Sequence, residues 1–234
     1  MNRSYIVKGL AAATVFSSLI LAALAADDKQ APADNTGKVK VEFKLPKPAY
    51  AGTPKAIPPG TTAEKPTGKP RAPWYAPPGV KNLALNKPVT SSDKEPIIGK
   101  LEQITDGDKE GSDGSWVELG PGLQWVQIDL QNPGMVYGFL VWHHHGDPRI
   151  YRDVVIQISD DPDFINGVKT VFNNDQDNSA GLGVGKDREF FEGYEGKLIE
   201  VPGVKGRYVR LYSKGSTSDD QNHYTEVEVW GLPQ

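Results

Sequence analysis

The stretch QWVQIDL, residues 124 to 130, decides the fold class of this chain. Its apolar residues Val126, Ile128 and Leu130 alternate with more polar neighbours. Successive side chains of a strand point to opposite faces of a sheet, so a period of two is typical of a half-buried β-strand. We therefore predict a strand here with one face in a hydrophobic core.

Other short apolar runs follow the same pattern and are bounded by Gly, Asp, Asn or Pro. They are MVYGFLVW (135 to 142), DVVIQIS (153 to 159), VKTVFNN (168 to 174), KLIEV (197 to 201), RYVRLYS (207 to 213) and YTEVEVW (224 to 230). No window of about 11 residues or longer shows sustained helical periodicity. Seven or eight short strands with polar connections predict an all-β domain, an antiparallel β-sandwich over residues 82 to 234.

The amino-terminal segment has the features of a secretory signal peptide. Arg3 and Lys8 flank the start of an apolar run, and Ala23-Leu24-Ala25 gives a small-x-small cleavage pattern. We expect residues 1 to 25 to be removed and the mature protein to be secreted or periplasmic, or to be held at a surface by partners. The alternative is that the run stays as a membrane anchor, since ~20 apolar residues span a bilayer.

Residues 26 to 81 are rich in proline and lysine. They hold 11 of the 19 prolines and carry a net charge of +5. Such a segment has few apolar side chains to bury, so we predict an extended linker or arm. Its clusters VEFKLPKP and APWYAPP contain aromatic residues, and these could instead dock on the domain or on a partner.

The charge of the domain and the lack of cysteine exclude several functions. Residues 82 to 234 carry a net charge of −11, which argues against nucleic acid or an anionic membrane as the ligand. The chain has no cysteine, so disulfides, zinc thiolate sites and thiol nucleophiles are excluded. The fold must be stabilised by a packed core, with or without a metal ion.

A series of motifs gives the domain a family resemblance. NLALNKPVTSSD, ITDGDKEGSDGSW, QWVQIDL, VYGFLVW, RDVVIQISDDPDF, RYVRLY and YTEVEVWG occur in this order between residues 82 and 231. The series resembles the discoidin-like, or coagulation factor 5/8 type C, family, which includes galactose-binding-like lectins and carbohydrate-binding modules. The resemblance implies a non-catalytic, jelly-roll-like β-sandwich that binds its ligand in loops at one end.

The resemblance also implies a structural calcium ion between the Asp-Gly-Asp loop and the last strand. Matched to the family pattern, Asp106 and Glu226 would bind calcium through side chains. The residues expected to contribute mainly backbone carbonyls are Gln103, Asp108, Ser115 and Thr225. Asp113 or Gly114 could replace Ser115, and the loop could also be a plain turn, since Asp and Gly favour turns.

The stretch VWHHHGDPRIYRDVVIQIS, residues 141 to 159, holds three of the four histidines. The resemblance places ligand contacts in this loop, and a guanidinium can bridge two hydroxyls or bind a carboxylate. The predicted ligand-binding residues are His143, His145, Arg149, Tyr151 and Arg152. The structural alternative is that Arg152 pairs with Asp153 and that Trp142 lies in the core.

The sequence supports a transition-metal site or a catalytic site less well than a ligand-binding loop. His143, His145 and His223 could form a transition-metal site, because His143 and His145 would share one face of a strand. The sequence lacks the G-x-S-x-G motif of serine hydrolases, and no sequence pattern singles out a pair of carboxylates for glycoside hydrolysis. The loop of residues 172 to 196 departs from the EF-hand and phosphate-loop patterns. We predict that the protein is not an enzyme.

Two functions remain. The first is an exported, calcium-stabilised module that binds a carbohydrate or glycoconjugate through its end loops. The second is a structural or protein-interaction module of an envelope or extracellular assembly, in which residues 27 to 82 dock on a partner protein.

Overall fold

The computed structural model describes Met1 and residues 35 to 234, and Asn35–Gln234 form one compact unit. The predicted signal peptide, apart from Met1, and the first part of the predicted arm lie outside the described residues. The strands are β1 (Val39–Val41), β2 (Trp74–Ala76), β3 (Lys81–Asn82), β4 (Val89–Ser91), β5 (Val117–Leu119), β6 (Gln124–Trp142), β7 (Val155–Ser159), β8 (Lys169–Asn173), β9 (Lys197–Ser213), β10 (Asn222–Tyr224) and β11 (Glu226–Pro233). A 3-10 helix spans Leu101–Thr105. Within the described residues, no helix has the length and apolar character needed to cross a membrane.

A seven-stranded antiparallel sheet is built around β6, which is 19 residues long. One edge of β6 pairs with β9 along most of its length, and β7 and then β8 continue the sheet beyond β9. The other edge of β6 pairs with β4 along its first half and with β11 along its second half. β3 completes the sheet outside β11.

A second, two-stranded antiparallel sheet of β5 and β10 packs on the same core. Leu119 of β5 and Tyr224 of β10 are fully buried in one hydrophobic cluster with Val126 and Ile128 of β6. Burial alternates along the first half of β6, as the period-two pattern predicts. The predicted all-β fold, an antiparallel β-sandwich, is confirmed.

The long strand β6 joins two segments that the sequence predicted as separate strands. Its register with β9 shifts between Asp129 and Gly134, and Gln131 adopts a left-handed backbone with φ of 68°. At Gly134 an added Cβ would lie 2.6 Å from Leu83 Cδ1, so a larger residue would require the Leu83 side chain to move. The irregularity bends the strand without ending its pairing.

Residues 35 to 81 contain two short strands and several turns, and they contact the sandwich. β1 pairs with β2, and the Phe43 ring stacks on Trp74 with ring centroids 5.8 Å apart. Phe43 also meets the edge of Trp230 in β11 at 5.3 Å. Trp74 is 4% exposed, so the arm buries a large aromatic side chain on the domain itself.

Polar contacts hold the arm along the loop that precedes β9. The Arg71 guanidinium donates to the carbonyl oxygens of Glu195 and Gly196 at 2.9 and 3.0 Å. The Tyr50 hydroxyl donates to the Glu192 carbonyl at 2.7 Å. The alternative in which the arm docks on the domain is therefore the arrangement observed, and its aromatic clusters are already occupied within the chain.

Truncation of Trp74 tests whether the arm belongs to the folded unit. We expect Trp74→Ala to lower the free energy of unfolding by about 3 to 5 kcal/mol, because it leaves a cavity against Phe43 and Gly138. Urea unfolding followed by circular dichroism measures this. Ile57→Ala, at a side chain 42% exposed, is the matched control and should change stability by less than about 0.5 kcal/mol. Equal stability of both variants would show that the arm is loose.

Candidate functional site

Two of the three consecutive histidines that follow β6 are fully buried and hydrogen-bonded to different loops. His143 Nδ1 lies 2.7 Å from Glu192 Oε1, and both side chains are 0% exposed. The His143 ring also stacks on Tyr151 at 4.4 Å. His145 Nε2 lies 2.8 Å from the Lys109 carbonyl. These rings therefore connect the interior to two loops and do not face solvent.

The remaining two histidines lie beside each other in the same polar cluster. His144 packs edge-on against Trp116 at 4.3 Å, and burial lowers its pKa below the usual range. His223 Nδ1 lies 2.9 Å from the Tyr151 hydroxyl, and its Nε2 lies 3.3 Å from Glu118. Burial lowers the pKa of His223 to about 4, so this ring is neutral at pH 7.

Arg149 is held by two aspartates. Its guanidinium donates to Asp147 through Nε and Nη2, at 3.1 and 2.6 Å, and to Asp219 through Nη1 at 2.8 Å. The residue is 9% exposed. A guanidinium bound on both edges has little capacity left for a ligand.

Four of the five predicted ligand-binding residues are buried. His143, His145, Tyr151 and Arg149 are bonded within the protein, which leaves them little surface for a ligand. Arg152 alone of the set is exposed. Within residues 35 to 234 its guanidinium has no ion-pair or hydrogen-bond partner. The alternative pairing with Asp153 is absent there, because Asp153 lies 3.6 Å from Lys214 Nζ.

The transition-metal hypothesis is wrong for this arrangement. His143 and His145 are directed to Glu192 and Lys109, and they do not converge with His223. Across residues 35 to 234, the group of metal-ligating side chains close enough to share an ion is formed instead by three aspartates. They are Asp153, Asp175 and Asp177.

These aspartates are bound by a turn of the long loop. The Ser179 N–H lies 3.0 Å from both Asp175 Oδ1 and Asp177 Oδ1, and the Ser179 hydroxyl donates to Asp153. The Ala180 N–H donates to Asp175 Oδ2 at 2.9 Å. The carboxylates therefore order the loop of residues 172 to 196 and need no ion to explain their positions.

Arg152 borders a polar cavity of about 660 Å³, which we call the Arg152 cavity. Its lining comes from the arm and from the loops after β5, β6, β8 and β9. It consists of Pro59, Gly60, Thr62, Pro121, Gly122, Arg152, Asp153, Asn174, Gln176, Asp177, Ser179, Glu189, Lys214 and Asp220. Asn174 is 4% exposed and accepts the Val154 N–H at 2.7 Å through Oδ1. Its Nδ2 has no hydrogen-bond partner within residues 35 to 234.

Sequence reasoning had singled out Arg152 but not its neighbours in this cavity. Asn174 lies in a loop whose pattern matched no binding motif, and the arm residues were predicted to lie apart from the domain. The proximity of the three segments depends on long-range packing, and no local pattern encodes it.

The predicted calcium residues meet beside the start of β11. The Asp108 N–H donates to Asp106 Oδ1 at 2.8 Å, and the Gly107 N–H donates to Glu226 Oε2 at 3.2 Å. The other carboxylate oxygen, Glu226 Oε1, is buried and has no partner within the described part of the chain. Burial raises the pKa of Glu226 to about 9.

The other members of the predicted set lie close by but mainly support the loop. The Ser115 hydroxyl donates to Asp108 Oδ2 at 2.9 Å, and Gln103 Nε2 donates to the Gly114 carbonyl at 2.6 Å. The Thr225 hydroxyl donates to the His143 carbonyl at 3.1 Å. A buried carboxylate oxygen without a donor, next to an aspartate loop, fits a hard cation such as calcium.

Comparison with protein-family models gives no match, and comparison with curated proteins gives none either. Among solved structures, the chain is similar to the family 89 glycoside hydrolase from Clostridium perfringens in complex with 2-acetamido-1,2-dideoxynojirmycin. The identity is 15%, the TM-score is 0.49, and the match covers 65% of this chain and 15% of that chain.

Smaller proteins are also similar to the chain. The CBM32 of AlyQ in complex with 4,5-unsaturated mannuronic acid has 21% identity and a TM-score of 0.45, over 61% of this chain and 92% of that chain. A fucolectin from Morone saxatilis (striped bass) serum has 20% identity and a TM-score of 0.46, over 66% of this chain and 50% of that chain. These two have the galactose-binding-like, discoidin-type fold that the sequence resembles. Likeness at this level concerns the fold and carries no ligand over.

The neutral, buried His223 predicts loss of stability in acid. In the unfolded chain this ring takes up a proton near pH 6.5, whereas in the folded protein its pKa is about 4. The unfolded state therefore binds more protons between these values, and unfolding becomes easier as the pH falls from about 6.5 to about 4. We expect a loss on the order of a few kcal/mol, measured by urea unfolding at several pH values.

His223→Asn serves as the comparison, since an amide oxygen can still accept the Tyr151 hydroxyl proton. The variant should be less stable at pH 7 but should lose less stability between pH 6.5 and pH 4. The same pH dependence in both proteins would contradict the assignment to His223. Glu118, Asp219, Arg149 and His144, which also face the ring, are unchanged in this comparison.

Proposed function

We propose that this protein is an exported, non-catalytic module that binds carbohydrate in the Arg152 cavity. The observation that carries the proposal is an exposed guanidinium at the border of a polar cavity. The Arg152 guanidinium has no ion-pair or hydrogen-bond partner within residues 35 to 234, and the residue lines this cavity.

The composition of the cavity suits a polyhydroxylated ligand. Sugar hydroxyls both donate and accept hydrogen bonds, so they match a lining that mixes cations and amides with carboxylates. Lys214 and Gln176 add donors, whereas Asp177 and Asp220 add acceptors. A volume of about 660 Å³ lies in the range of small-ligand sites, about 300 to 1,000 Å³.

The proposal assigns no catalytic role because of the surroundings of two histidines. His143 and His223 are buried and bonded to other side chains of the protein. General acid–base chemistry needs such a group within hydrogen-bond reach of the substrate. The groups that line the cavity are instead suited to holding a ligand.

We further propose that calcium stabilises the module, bound by Asp106 and Glu226 with carbonyl oxygens of the surrounding loop. Glu226 Oε1 has no hydrogen-bond partner within the described residues, and a bound calcium ion would be a positively charged partner for it. The ion would also connect the Asp-Gly-Asp loop to β11. The ion would act on stability and loop order, at a site separate from the residues that line the Arg152 cavity.

Calcium addition tests this part of the proposal. After treatment with EDTA, millimolar calcium should raise the melting temperature of the protein by on the order of 5 °C. Asp106→Ala and Glu226→Gln should each abolish the rise, whereas Asp160→Asn, at an exposed carboxylate, should retain it. No shift with calcium or EDTA in the unaltered protein would contradict the proposal.

Glycan binding tests the main function. The probes are fucose, galactose, N-acetylglucosamine, an oligomannuronate and a chitosan oligosaccharide, which cover neutral, acidic and basic sugars. We expect saturable binding of at least one probe by calorimetry, and we expect Arg152→Ala to weaken it by about tenfold or more, since a charge-assisted hydrogen bond is lost.

Arg188→Ala is the matched control for this experiment. It removes the same group from an exposed position outside the Arg152 cavity, where the side chain is 64% exposed, and it should leave the affinity unchanged. Two results would overturn the proposed function: no binding of any probe, or binding that Arg152→Ala leaves unaltered.

A further inference from the structure

We infer that the arm forms one wall of the Arg152 cavity and that contacts between Thr62 and Glu189 hold this wall in place. The inference rests on the proposed function, since it concerns the same site. It adds that a segment outside the sandwich strands takes part in ligand binding.

The cavity is bordered by segments that lie far apart in the sequence. Pro59, Gly60 and Thr62 of the arm face the same space as Arg152 and Asn174 of the sandwich loops. A ligand in this space would therefore contact the sandwich on one side and the arm on the other. Without the arm, the cavity would be an open surface of the sandwich loops.

Thr62 and Glu189 are joined by reciprocal hydrogen bonds across 127 residues of sequence. The Thr62 N–H donates to Glu189 Oε2 at 2.6 Å, and the Glu189 N–H donates to Thr62 Oγ1 at 3.1 Å. The Thr62 hydroxyl lies 3.4 Å from Glu189 Oε2. We call this pair the Thr62–Glu189 latch. Two of these contacts involve the Glu189 carboxylate, and hydrogen bonds to a charged group are stronger than neutral ones.

The sequence around the latch restricts the conformation of the wall. Pro58 and Pro59 fix two φ angles, and Gly60 adopts the left-handed conformation with φ of 76°. The Thr61 hydroxyl donates to the Pro58 carbonyl at 2.9 Å and closes the turn. Because the turn is ordered before a ligand arrives, binding costs little further conformational entropy.

The adjacent ion pair between Arg188 and Glu64 differs from the latch. Its atoms are 3.0 Å apart, but the two side chains are 64% and 73% exposed. Exposed pairs of this kind contribute little to stability. Neither residue lines the Arg152 cavity. Glu64→Gln is therefore a matched control, since it alters an arm–domain contact two residues along the chain from Thr62.

The first test compares affinities in the full-length mature protein. The variants are Thr62→Val, Glu189→Gln and Glu64→Gln, and calorimetry uses each of the five sugars named above. We expect the two latch variants to weaken binding by about fivefold to tenfold, with melting temperatures close to that of the unaltered protein, and we expect Glu64→Gln to bind normally.

The second test separates a ligand-contacting wall from a purely structural contact. Amide hydrogen exchange is measured with and without a saturating sugar. We expect the sugar to slow exchange in residues 60 to 64 as well as in residues 150 to 153 and 174 to 179, because the arm covers the bound ligand.

The outcomes distinguish this inference from the proposed function. Binding that protects the sandwich loops but not residues 60 to 64, with unchanged affinity in Thr62→Val, would overturn the role of the arm and leave carbohydrate binding intact. Absence of binding for all five sugars would overturn both. Protection of both segments with weakened binding in the latch variants would establish the arm as part of the site.

Discussion

The pairing of β6 with β9 is the constraint on which the rest of the structure depends. The two strands pair on both sides of the register shift between Asp129 and Gly134. Further strands pair with the free edges of β6 and β9 and widen the sheet. Since the register is fixed over nearly the full length of β6, the loop after β6 and the loop before β9 emerge at the same end of the sandwich. Glu226 of the proposed calcium site lies at this end, opposite Trp142, whereas Gly122 and Lys214 of the Arg152 cavity lie next to the opposite end of the ribbon, where Gln124 pairs with Ser213.

The histidine stretch at that end connects loops that would otherwise be independent. His143 is bonded to Glu192 in the loop before β9, and His145 is bonded to Lys109 in the loop that follows Asp108. Buried polar groups are costly unless they are paired, so each bond favours one position of the loop it holds. The conspicuous HHH motif is thus a structural feature, and Arg152 is the exposed residue of that loop that remains a candidate ligand contact.

The period-two pattern predicted the strands well, because alternation of apolar side chains is a local property of the sequence. It missed the union of two segments in β6, since Gln131, Asn132 and Pro133 resemble a turn and pairing with β9 resumes only beyond them, at Gly134. Burial of His143 was not predictable, because its partner Glu192 lies 49 residues away in the sequence and approaches only in the folded chain. The docking of the arm likewise depends on long-range packing, in which the Phe43 ring contacts both Trp74 and Trp230.

The central claim is that the arm and the sandwich fold as one unit, with a polar cavity between them. Native-state amide hydrogen exchange of the ligand-free protein tests this most directly, by comparing β1 and β2 with the first half of β6. The account predicts opening free energies of several kcal/mol for amides in Val39–Val41 and Trp74–Ala76, approaching those of β6. Exchange of these arm amides at the rate of an unstructured peptide would contradict it.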